Sequence, residues 1–286
     1  MLTVIVYGIA IGAVYAATAL VYNVMYSTSK VLSITTGHIP MLGGVFGAYF
    51  IAQLKLPMLV GLIGAIAVGA LFNLLTEIVA VRRVLARSDE HLWLLSTLAV
   101  ATMLSQVVAL WWGTEPKPFP RLIAQEFSQG VLDQKYWLPV AAVFVMAIGL
   151  ELFYRRTMYG KLFIATSEDA FAARARGIST DRVRALSYVL SGALGGMAGF
   201  AAGQLTFAFF ALGFALTLNG FVALAAGGLG SNIGAVVGGF ALGLLSSFAS
   251  YWFGGEYQQT VAIGLLLLLL IIKPEGLFGS KQVRPV

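Results

Sequence analysis

The chain has 286 residues, of which 59% are hydrophobic and only 10% charged, with a mean hydropathy of +0.88; a soluble domain carries about 25% charged residues, so this composition excludes one. At about 20 apolar residues per crossing helix, the length holds one membrane domain over 1–286 with no separate large soluble domain, and 33 glycines favour close-packed helices over a β-barrel. The net charge is +6 and there are no cysteines, which excludes disulfides, thiolate chemistry and cysteine metal sites.

Apolar runs at 3–26, 31–53, 57–81, 91–112, 137–154, 185–203, 207–227, 233–253 and 258–272 predict an all-α polytopic transmembrane bundle of about nine spans. The short last run and the glycines within 207–227 and 233–253 leave eight to ten open. The first run has no basic leader and no cleavage site after it, so it reads as a retained helix. Thirteen of the eighteen Lys and Arg fall in three segments. These are Arg82, Arg83 and Arg87; Arg155, Arg156, Lys161, Arg174, Arg176, Arg182 and Arg184; and Lys273, Lys281 and Arg284. Lys30 falls on the same side, whereas Lys117, Arg121 and Lys135 share a loop with Glu115, Glu126 and Asp133. The positive-inside rule then predicts an outside N-terminus and a cytoplasmic C-terminus, with Trp111, Trp112, Trp137 and Trp252 at the outer interface. Glu77 and Glu151 lie about one turn from inner helix ends, where both are expected to reach water.

Three stretches invite a functional reading. Ser33, Thr36, Gly37, His38 and Pro40 open the second span with polar groups and helix breakers, which predicts irregular backbone facing protein or a water-filled cavity. The basic segment 155–184 is too long for a bare turn. In it, Ser167 as cap, Glu168 and Asp169 in the first turn, Arg174 and Arg176 in the last and Gly177 as stop predict a short helix with Ala172 and Ala173 on one side. Such a helix is either a knob for the groove of a cytoplasmic partner or an ordinary positive-inside surface helix. Finally, Gly195, Gly199 and Gly203, with Gly192 and Gly196 beside them, make a smooth helix face for close packing, and Gly234 and Gly238 repeat the device. No Gly-x-x-x-x-Gly-Lys-(Ser/Thr) phosphate loop is present, so the chain does not hydrolyse a nucleotide alone. His38 and His91, its two histidines, supply thin material for a metal site or proton relay.

The ordered motifs resemble a known family. Ala172, Ala173 and Gly177 match the Glu-Ala-Ala-x-x-x-Gly coupling pattern of ABC importer permeases, with Phe171 in place of the acid and Glu168 and Asp169 just upstream. The stretch from Ala165 to Asp181, followed by Arg182 and Val183, is similar to the branched-chain amino acid permease family in particular. So are residues 225–239, with Gly227, Gly228, Gly230, Ser231, Gly234 and Ala235, and residues 273–279, Lys-Pro-Glu-Gly-Leu-Phe-Gly. Leu94 to Gly113 and then Pro120 resemble that family's fourth span and outer loop. The departure is Ser33, Thr36 and His38 where the family shows Asn, His and an acid, although Gly37, Met41, Leu42 and Gly43 are kept.

The resemblance implies a non-catalytic permease of a bacterial or archaeal cytoplasmic membrane, working by alternating access. Two ABC ATPases, which bind the ATP and magnesium, would act on Glu168, Asp169, Phe171, Ala172, Ala173, Arg174 and Gly177. A second permease chain, in the family most often a related but different protein, and an extracytoplasmic solute-binding protein complete the complex; nucleic acid has no place in it. Ser33, Thr36, Gly37 and His38 would border the substrate pathway. Two rivals remain at this point. A self-contained carrier or channel requires buried ionisable groups, and a scaffold subunit of a membrane enzyme requires cofactor ligands.

Overall fold

The computed structural model describes residues 1–85, 92–121, 133–273 and 276–279. Among these the chain is helical throughout, apart from turns, connecting segments and one isolated bridge between Lys117 and Ala208. Seven helices among the described residues are long and apolar enough to cross a membrane: Leu2–Ser29, Ile34–Gln53, Met58–Leu85, Leu92–Trp112, Gln134–Arg156, Thr180–Thr206 and Asn232–Phe253. Leu212–Gly227 has 16 residues and Gln258–Ile272 has 15. At 1.5 Å per residue these reach about 24 Å and about 22 Å, short of the roughly 30 Å hydrocarbon core. The protein is a multi-pass helical membrane protein.

In chain order the helices are α1 (Leu2–Ser29), α2 (His38–Ala48), α3 (Met58–Thr76), α4 (Arg82–Leu85), α5 (Leu92–Trp112), α6 (Gln134–Arg156), α7 (Met158–Glu168), α8 (Ala170–Ala175), α9 (Thr180–Thr206), α10 (Leu212–Gly227), α11 (Asn232–Phe253) and α12 (Gln258–Ile272). A 3-10 turn over Ile34–Gly37 leads into α2, and a π turn over Glu77–Val81 joins α3 to α4. α1 is the central pillar. It is buried on every side from Ala10 to Met25 and packs against α6, α9, α10 and α11, as expected of a helix that is apolar all round. The helices α5 and α6 and the rod Met58–Leu85 that contains α3 are peripheral, only about a quarter buried, whereas α1 is mostly buried. Their outer faces carry Ile63, Leu71, Met103, Val107, Leu110 and Ile148.

Small residues set the helix spacing. On α11, a Cβ at Gly239 would meet the backbone of Ala16 and one at Gly243 the backbone of Gly12. On α9, Gly192 faces Gly69 O, Gly196 faces Ala65 O, and Gly199 faces Pro40 O and Gly44 N. Gly195 lies on the Ile39 side chain, Gly203 on the Phe119 ring, and Gly234 and Gly238 on Gly227 at the α10–α11 crossing. α9 therefore holds α2 and α3 at backbone distance.

Several boundaries differ from the sequence reading. The seventh run starts as a helix only at Leu212, because Phe207 has φ 58 and Ala208 pairs its N–H and C=O with Lys117. Trp112 is buried, its Nε1 donating to Ala208 O at 3.0 Å, while Trp111, Trp137 and Trp252 are exposed. Arg87, His91, Glu126, Lys281 and Arg284 lie outside the described residues.

Gly199 gives the most direct test of the seam. Gly199→Val should destabilise the protein by about 3 kcal/mol or more, at or above the upper end for overpacking, because the added atoms meet a carbonyl rather than a movable side chain. Thermal unfolding in detergent measures this, and an unchanged midpoint would exclude the backbone contact with α2.

Candidate functional site

Two features share the basic end of the bundle, where α1, α4 and α6 finish and α9 and α11 begin. The first is the segment between α6 and α9. α7 runs through Glu168, so Ser167 is inside it and donates to Ile164 O at 2.8 Å instead of capping the next helix. The cap is Asp169, whose Oδ1 accepts from Phe171 N at 2.8 Å and Ala172 N at 2.9 Å. A carboxylate meets two orphan N–H groups there and outcompetes the upstream hydroxyl. At the other end, Gly177 N donates to Arg174 O at 2.9 Å and Ile178 N to Ala173 O at 3.0 Å. This is the Schellman pattern, and Gly177 has the left-handed φ of +84 that it needs. Arg174 Nε donates to Thr180 Oγ1 at 2.6 Å, tying the last turn of α8 to the first of α9. Ala173 faces inward, whereas Phe171 is 83% exposed between charged residues.

The second feature is the break before α2. α1 ends at Lys30, in left-handed backbone at φ 56, and the chain turns back into the bundle before helix resumes. Ser33, Thr35, Thr36, Gly37 and His38 are buried. Ser33 and Thr35 share a hydroxyl contact at 2.6 Å, and Thr36 Oγ1 donates to Ser33 O at 2.7 Å. Thr217 on α10 pins the turn: its hydroxyl accepts from Gly37 N at 3.2 Å and lies 3.0 Å from Ile34 O and 2.8 Å from Gly213 O. Tyr22 Oη reaches Thr217 O at 3.4 Å. The His38 ring stands edge-on to Phe214 at 4.7 Å, in space left by Gly213. Beside the break is a cavity of about 370 Å³ walled by residues that include Tyr22, Ile34, Trp93, Phe214, Thr217 and Phe221. The side chains of Ser33, Thr36 and His38 turn into the protein; the wall takes Leu32 and Ile34 from this segment. Thr217 was not singled out in the sequence, although a threonine four residues after Gly213 in an apolar run was its signal.

Glu77 corrects another expectation. It does not reach water: its side chain is fully buried. Arg82 binds it through Nε at 3.2 Å and Nη2 at 2.9 Å, and Arg184 on α9 through Nε at 3.0 Å. Glu151 is exposed and pairs with Arg155. The two glycine-rich motifs also meet. Leu277 N donates to Ala226 O at 2.9 Å and Phe278 N to Gly227 O at 2.8 Å. Pro274 and Glu275 of the second motif lie outside the described residues. Asn23 on α1 accepts from Gly230 N at 2.9 Å and donates to Asn232 Oδ1 at 2.6 Å.

A family model described as branched-chain amino acid transport system / permease component matches residues 4–270, and the chain belongs to that family. LivH of Escherichia coli K12, a high-affinity branched-chain amino acid transport system permease protein, is 28% identical over 98% of this chain and 96% of its own. LivM of the same organism, a permease protein of the same named system, is 27% identical over 51% of this chain and 35% of its own. Among solved structures, one chain of PsaBC from Streptococcus pneumoniae in complex with Fab superposes with a TM-score of 0.53, covering 96% of this chain and 92% of that one. At 15% identity it shows a shared fold.

Thr217→Val tests the pinned break, since it keeps the shape and removes the hydroxyl. Leaving Gly37 N unpaired in the interior should cost about 1–3 kcal/mol, while Thr217→Ser should stay close to the parent. Equal unfolding midpoints for the two variants would show that the hydroxyl holds nothing.

Proposed function

We propose that this chain is the permease subunit of an ATP-driven importer of the cytoplasmic membrane, carrying branched-chain amino acids or related small amphipathic solutes. Family membership supports this reading. The observation that carries it is Phe171, a large apolar side chain 83% exposed on a capped six-residue helix among Glu168, Asp169, Arg174 and Arg176. In lipid such charges would be costly, and in water such a ring gains by burial in a partner. That combination fits a knob for the grooves of ATPase subunits, built from Glu168, Asp169, Phe171, Ala172, Ala173, Arg174 and Gly177.

In this reading the chain is one domain of about nine crossings, the two beyond the seven long helices being α10 and α12 lengthened by the segments that lead into them, residues 207–211 and the turn Gly255–Tyr257. The basic end faces the cytoplasm by the positive-inside rule. ATP and magnesium sit on the two partner ATPases, and their closure pushes the coupling segment. The bundle then opens outward to receive solute from an extracytoplasmic binding protein, and hydrolysis resets it. A second permease supplies the other half of the pathway; LivH and LivM, two differently named permeases of one system in E. coli, support a related but distinct partner. On this chain the pathway borders the break with Ser33, Thr36, Gly37 and His38, and the aromatic and aliphatic wall of the adjacent cavity suits an apolar side chain.

The test uses the complex purified with its ATPases. Phe171→Ser should leave the fold within about 0.5 kcal/mol, as an exposed surface change does, yet abolish ATPase recovery and uptake. Gly177→Asn should retain coupling, because Asn tolerates left-handed backbone, and Gly177→Val should lose it. Full ATPase recovery and uptake with Phe171→Ser would remove the docking role.

A further inference from the structure

Burying charge needs a reason. A carboxylate with no exposed surface costs several kcal/mol unless it is paired, and an apolar replacement of a whole buried ion set is often as stable. Glu77 is such a carboxylate, held by Arg82 from its own rod and by Arg184 from α9. The π turn over Glu77–Val81 brings residues five apart onto one side, so that Glu77 and Arg82 meet. The second arm of Arg184 reaches Asp181 at 3.0 Å, in the first turn of α9. Thr180, beside it, is the residue bonded to Arg174 at the end of α8. A bonded line thus runs from the coupling segment to the root of α3.

Two more contacts fix the same stretch of α9. Ser187 Oγ lies 2.6 Å from Thr28 Oγ1 on α1. Asn73 on α3 donates to Tyr188 O at 2.8 Å and Ser191 Oγ at 2.7 Å. Just beyond begins the seam in which Gly192 and Gly196 touch the backbone of α3, and Gly195 and Gly199 touch the start of α2. Packed elements of this kind move as bodies, not by continuous deformation.

We propose that Glu77 and Arg184, braced by Arg82 and Asp181, are a positioning pair that locks the coupling segment to α1, α3 and α9, so that these helix ends move as one body and carry the stroke to the break before α2. This rests on the importer reading for the stroke, but the lock is a property of this chain alone.

Two readouts keep the inferences apart. Hydrogen exchange on the purified chain reads the lock: Glu77→Gln keeps the size and removes the charge, and should speed exchange of the 170–184 amides about tenfold with α1 and α11 unchanged. Unaltered exchange there would overturn the proposal whether or not ATPases bind. Proteoliposomes holding the whole complex read the stroke: in Glu77→Gln, solute moved per ATP should fall about tenfold while ATPases still copurify. The triple variant Glu77→Leu, Arg82→Leu, Arg184→Met separates lock from stability, because it removes the buried carboxylate together with both arginines that pair with it, leaves only the exposed Asp181, and should fold. It should still transport with the low ratio; a parental ratio would overturn the role. In the cysteine-free chain, oxidising Thr28→Cys with Ser187→Cys should leave uptake intact if α1 and α9 move together, and arrested uptake would show that they slide. Failure of the parent chain to recover ATPases would sink the importer reading, with exchange still judging the lock.

Discussion

Backbone-to-backbone contact along α9 is what the rest of the structure depends on. In a bilayer, lipid tails are as apolar as leucine, so helices gain little by hiding hydrophobic side chains from one another and associate through close van der Waals contact and hydrogen bonds. Dispersion falls steeply with distance, and only residues without bulk allow the approach seen where Gly192 and Gly196 face α3 and Gly199 faces α2. α11 uses the same device on α1 through Gly239 and Gly243. Two seams therefore hold five helices, and the leucine-rich outer faces of α3, α5 and α6 contribute little to that choice of partners.

Because α2 is gripped at Gly43 and Gly44 by α9, its beginning does not have to be a regular helix. Non-helical backbone inside a membrane protein survives only where other groups satisfy its polar atoms. Thr217 and the hydroxyls of Ser33, Thr35 and Thr36 do so within residues 33–37. The break is a built feature, and its Leu32 and Ile34 form part of the wall of the cavity next to it. Asn73 uses hydrogen bonds to tie α3 to α9, reaching Tyr188 O and Ser191 Oγ in the interior.

The apolar runs and the glycine spacing were legible in the sequence because both are local patterns of one residue type. The motif order was legible for the same reason, and the family match over 4–270 agrees with the resemblance drawn from it. Other features depended on partners distant in the chain. Glu77 reads as a residue able to reach water at a helix end until Arg184, 107 positions later, covers it. Thr217 reads as one hydroxyl in an apolar run until it meets Gly37, 180 positions earlier. The cap of α8 failed for a local reason: Ser167, Glu168 and Asp169 are all plausible cap positions or first-turn residues, and two N–H bonds to Asp169 decide between them. Helix length misled at Leu212–Gly227, where hydropathy continues through Phe207 although the backbone there is turned by its pairing with Lys117.

These features divide the molecule into stiff and accessible parts. The seams are dry and backbone-limited, so they resist sliding, and α9 touches α1, α2, α3 and α6 along its length. The 157–180 segment is the reverse: short helices and a Phe171 ring that stays 83% exposed among the described residues. A force applied there enters α9 at its first turn, where Arg174 and Thr180 are bonded, and meets helices already fixed to α9 by glycine contacts and by Ser187, Asn73 and Glu77. The aromatic cavity beside the polar break takes its walls from α1, α5, α10 and the break itself rather than from α9.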